Sequence, residues 1–136
     1  MPRTAPLDRN LPGSIERRFP PESRSASAAR AFVLDAGWSD DADNNLRLAT
    51  VVSEVVTNAI LHARTAFVVT VVLKGRTIRV GVSDRSGALP VRREYQLHHP
   101  TGRGLHIVDA LADRWGVAEE PEGKTVWFEL ERENVA

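Results

Sequence analysis

Glu54, Asn58 and His62 stand four residues apart. On a helix that spacing turns each only about 40° from the last, so the three share one side. A carboxylate one turn before a carboxamide suits a reaction site. The carboxylate can accept a proton or orient a water, and the amide oxygen can ligate a hard cation such as Mg2+. Thr50, Ser53 and Thr57 flank the strip. A solvated face is the alternative reading. Against it, Glu54 is the only formal charge from Leu48 to Ala63, whereas exposed faces usually carry paired Lys and Glu.

Two further stretches carry chemistry. Asp84 ends a strand-like run, where its carboxylate can accept from an exocyclic amine of the kind adenine offers, or can simply initiate the turn before Gly87. Gly102-Arg103-Gly104 precedes a helix. Its backbone N–H groups and the helix N-terminus can cradle phosphate with Arg103 adding a cation, or the glycines can serve as a tight turn. The run matches neither the Walker pattern nor a dinucleotide fingerprint. His62 and His106 sit among apolar helical neighbours, and His98-His99 lie in a loop, with no good zinc pattern.

These groups need elements to hold them. Residues 48–63 lack Gly and Pro, and Leu48, Val51, Val52, Val55, Val56, Ala59, Ile60 and Ala63 recur at helical spacing. Four valines are weak helix formers, so packing must stabilise this helix. The acidic run 39–45 caps it and suits its dipole. Before it, residues 14–19 read as an edge strand, and Ser23 caps a helix to about Ala36 that Gly37 ends. Trp38 is expected in the core. Residues 66–73 and 77–82 form an antiparallel hairpin about Lys74-Gly75-Arg76. Residues 88–101 read as a long surface loop, 105–114 as a helix, and 115–118 and 124–130 as strands.

The 136 residues are 42% hydrophobic, enough for one domain with a core. Lys plus Arg and Asp plus Glu balance at 18 each, which argues against nucleic acid or an anionic membrane as the main partner. No cysteine is present, which removes thiolate metal sites and Cys nucleophiles. No run is apolar enough to span a bilayer and MPRTAPLDRN has no signal-peptide core, so a cytoplasmic location is expected. Residues 1–13 are expected to be a loose tail, 14–132 one domain, and 133–136 a polar end.

In order, these pieces resemble a known superfamily. SEVVTNAILHA, with Glu54 and Asn58, looks like the N box of the gyrase, chaperone, histidine-kinase and mismatch-repair ATPases. VSDRSGALP resembles their G1 box, TGRGLHIVDALADRWGV their G2 box, and GKTVWFEL their closing strand. The branch most similar is the small bacterial anti-sigma factor serine-protein kinases, which lack a phosphoacceptor-histidine hairpin.

The resemblance implies an α+β two-layer sandwich, a mixed β-sheet with helices on one face (the histidine-kinase-like ATPase, or Bergerat, fold). It implies ATP and Mg2+ as cofactors. By position, Asn58 matches the Mg2+-coordinating Asn, Glu54 the general base, Asp84 the adenine-reading acid and Gly87 the glycine beside the base. Residues 88–101 match the ATP lid. Gly102, Arg103 and Gly104, with Leu105 following, match the phosphate-contacting turn, and Thr125 a closing-strand Thr near adenine. Ser86 and Thr101 stand where the family commonly has glycine. The implied activity is that of an anti-sigma factor and serine-protein kinase, with a sigma factor and an anti-sigma antagonist as partners and a homodimer as assembly. A nucleotide-dependent binding module without phosphoryl transfer, and a detached histidine-kinase catalytic domain, are the competing readings.

Overall fold

A computed structural model describes residues 13–85 and 102–132, with side chains from 105 onward in the second span. The expected tail, the loop 88–101 with His98 and His99, the polar end, and Ser86, Gly87 and Thr101 lie outside the described residues.

The edge strand is β1 (Ile15–Phe19). Helix α1 (Ser25–Leu34) follows and starts one residue later than a Ser23 cap would place it. Its N-cap, Arg24, makes no side-chain capping bond, and the Ser25 hydroxyl instead donates to the Pro20 carbonyl at 2.7 Å. Pro20-Pro21 therefore sets the entry angle. Gly37, at φ 76°, ends the helical stretch with its N–H on the Leu34 carbonyl, a conformation that favours glycine. Trp38 is buried, as expected, and its indole N–H donates to the Arg76 carbonyl at 2.9 Å.

Helix α2 spans Ala42–His62 and so begins a turn and a half before Leu48. Asp41 is its N-cap: its carboxylate accepts from the Asn44 N–H at 3.0 Å, and Asp43 lies in the first turn. The cap falls within the acidic run 39–45, as expected, and capping rather than apolar spacing defines this polar start. Val51, Val52, Val55 and Val56 are at most 1% exposed, so burial offsets their weak helical propensity.

Strands β2 (Phe67–Lys74) and β3 (Thr77–Asp84) form the expected hairpin, with Gly75 at φ 60° in the turn. Helix α3 (Gly102–Leu111), β4 (Arg114–Glu120) and β5 (Gly123–Glu131) complete the domain. The sheet order is β1-β2-β3-β5-β4. Phe67, Val69 and Val71 of β2, Ile78, Val80 and Val82 of β3, and Val126, Phe128 and Leu130 of β5 share one core with residues of all three helices. The α+β architecture with helices on one face is thus as expected.

One detail differs. The expected sheet was mixed, but every pairing is antiparallel. Two helices separate β1 from β2, so the chain reverses three times and returns antiparallel. The chain also reverses into α3 and again into β4, which therefore runs in the direction of β3. β5 inserts between β3 and β4, so the two co-directional strands never meet.

Candidate functional site

Helix α2 packs against both β3 and α3, which brings the three elements carrying the candidate residues together. Asn58 is 7% exposed, and Glu54 and His62 are half-buried. The strip is therefore not a solvated face. Beside Glu54, the Ser53 hydroxyl accepts from Arg30 of α1 at 2.8 Å. That bond fixes the rotation of α2 against α1, and Arg30 carried no signal in the sequence that would single it out.

Asp84 closes β3 and faces the helices, two residues beyond Val82. Its cross-strand partner is Lys124. The Lys124 ammonium donates to Asp84 Oδ2 at 2.8 Å, with the two side chains 6% and 1% exposed. A charged hydrogen bond this deeply desolvated is strong, and loss of either partner leaves a buried charge. Lys124 was not among the candidates from sequence. The signal was available: it has the same parity as Val126, Phe128 and Leu130, and an inward lysine needs an anion.

Gly123 makes the pairing possible. A Cβ there would overlap the Asp84 carbonyl oxygen and crowd Arg85 Cα, both of them backbone. Only glycine lets β5 approach the end of β3 this closely. From the other side, Thr65 Oγ1 accepts from the Arg85 N–H at 3.2 Å and ties the α2–β2 connection to the same strand end.

Thr125, expected near the base with Asp84, lies on the other face of the sheet. Strand alternation points it away from the helices, and its hydroxyl shares a 2.7 Å hydrogen bond with Ser83 Oγ. The physical reason is the period of two: whichever residue faces Asp84, its neighbour cannot. The position opposite Asp84 belongs to Lys124. Arg18, Val68, Ser83, Asp84, Arg85 and Glu120 help line a polar cavity at these strand ends.

Gly102, Arg103 and Gly104 form the first turn of α3, so the helix starts at the glycines and their N–H groups belong to its N-terminal end. Leu105 is half-buried just behind them. His106 is exposed, and among the described residues no three His, Cys, Asp or Glu side chains group as metal ligands. Asn58's amide oxygen fits one position in an octahedral Mg2+ shell otherwise filled by phosphates and waters. A helix opened by glycines fits phosphate, and a buried carboxylate fits an exocyclic amine. Among the described residues no helix is long and apolar enough to cross a membrane.

The family model for the histidine kinase-like ATPase domain matches residues 19–130. No curated protein matches the sequence significantly.

Proposed function

Because the chain belongs to the histidine kinase-like ATPase domain family, we propose that it binds ATP with Mg2+ and acts as an anti-sigma factor and serine-protein kinase. In this reading it sequesters a sigma factor in the cytoplasm, as a homodimer, and phosphorylates a serine on an anti-sigma antagonist. The observation that carries the reading is the buried Asn58 one turn after the half-buried Glu54, on the helix that packs against both β3 and α3. The similarity of the TNAILHA and WFEL endings to the serine-kinase branch favours serine over histidine as acceptor.

Bound Mg-ATP supplies the phosphoryl group. Asn58 would hold the cation, and the first turn of α3 would meet the phosphates with backbone N–H groups. Glu54 takes the proton from the seryl hydroxyl as its oxygen bonds to the γ-phosphorus and ADP leaves. Asp84 accepts from the base amine. Little covalent chemistry falls to the protein, so positioning by α2 carries most of the rate.

Calorimetric titration of Mg-ATP tests the first half: saturable binding is expected, weakened by removing Mg2+. Transfer of labelled phosphate to a candidate antagonist tests the second, with acid-stable phosphoserine expected. Binding without transfer would make the protein a nucleotide-dependent binding module. Acid-labile phosphate would identify a detached histidine-kinase domain.

A further inference from the structure

The geometry points to Lys124 as a second base-reading residue, one that donates to adenine N1 while Asp84 accepts from the 6-amino group. The inference rests on the ATP-binding reading above and deepens it. Asp84 and Lys124 are register partners at the ends of β3 and β5, on the helix-facing side. They are 4% and 5% exposed and 2.8 Å apart. An ammonium has three N–H donors, and Asp84 is its one acceptor among the described residues.

A buried acceptor and a buried donor side by side present a two-point pattern. The ligand edge that complements it carries an N–H next to a lone-pair nitrogen. Adenine's amino group and N1 form that edge. In the same pose guanine would set its O6 acceptor against the carboxylate, whereas a guanine turned over offers N1–H to Asp84 and O6 to Lys124. Lys124 need not leave Asp84 for this, because a neutral base edge can span both groups. With no base present, Lys124 and Asp84 answer each other, so the subsite is preformed.

The experiment uses the whole chain and three probes with Mg2+: ATP, 1-deaza-ATP, in which a C–H replaces N1, and 7-deaza-ATP, in which a C–H replaces N7 on the other side of the amino group. The wild type is expected to bind 1-deaza-ATP roughly tenfold to a hundredfold more weakly than ATP, the worth of a charged hydrogen bond, and 7-deaza-ATP about as well as ATP. In Lys124→Met, ATP should weaken to the level of 1-deaza-ATP and the difference between the two should vanish. Equal wild-type affinity for ATP and 1-deaza-ATP overturns the inference and leaves ATP binding standing. Tighter ATP binding by Lys124→Met overturns it in a different sense, since the lysine would then compete with the base. The wild-type comparison needs no variant, so a destabilised Lys124→Met does not protect the proposal. Absence of binding by a folded wild type to all three probes removes the ATP reading itself.

Discussion

At the scale of single residues, the division of labour between Glu54 and Asn58 is separable. Asn58→Ala should weaken Mg-ATP at least roughly tenfold, since a hard-cation ligand is lost. Glu54→Gln keeps the size and the half-buried position but cannot take a proton. It should leave the ATP Kd within about twofold and lower phosphate transfer by roughly 100-fold or more, the usual worth of a general base. Paired calorimetry and single-turnover transfer measure both, and a Glu54→Gln variant that still transfers at the wild-type rate removes the assignment. Gly123→Ala acts by a different route. The added methyl meets backbone at Asp84, which cannot move aside as a side chain would. The strand end must shift, and ATP affinity and stability should fall together.

At the scale of elements, α2 depends on its cap and its packing in different amounts. Asp41→Ala removes the carboxylate that accepts from the Asn44 N–H and should cost about 1 kcal/mol. The denaturation midpoint should move with an unchanged m-value, because the exposed surface on unfolding is the same. Strand β1 is held at the sheet edge by Phe19, 2% exposed, which stacks on Phe67 at 5.6 Å and meets Phe32 edge-on at 6.1 Å. Phe19→Ala should cost about 3–5 kcal/mol, with the cavity adding to the lost burial. A loss below 1 kcal/mol would show that β1 contributes little to the fold. The β1 strand, the β2–β3 hairpin and Trp38 in the core were legible in the sequence because alternation, turn glycine and apolar size are local signals. The Ser23 cap was not, because Pro20-Pro21 redirects the chain and claims the Ser25 hydroxyl.

At the scale of the molecule, nucleotide binding and folding are linked. A ligand that binds only the native state adds about 2.7 kcal/mol at 100 times its Kd. For a chain of this length that corresponds to a Tm rise of roughly 10 °C. Scanning calorimetry with Mg-ATP should show this rise, and Asn58→Ala should show little of it at the same concentration. A wild-type Tm that ignores Mg-ATP at millimolar concentration contradicts the linkage. The outer face of the sheet is built differently. It carries Trp127 beneath Arg79, whose guanidinium lies 4.5 Å from the ring centroid, and Glu129 bridges Arg79 and Arg114. The helix-facing side holds the core and the Asp84–Lys124 pair.

By itself the sequence determined the elements and their order, because helical spacing, strand alternation and turn residues act over a few residues. Glu54 and Asn58 were singled out by a four-residue spacing, and Asp84 by its place after an alternating strand. Tertiary structure alone decided three things. It decided the antiparallel sheet, since β5 inserts between β3 and β4 and only spatial order reveals that. It decided that Thr125 faces away, since the register that pairs Asp84 with Lys124 spans 40 residues of chain. It decided that Lys124 is a buried cation, since the anion it answers lies on another strand and is reached only through the close approach at Gly123.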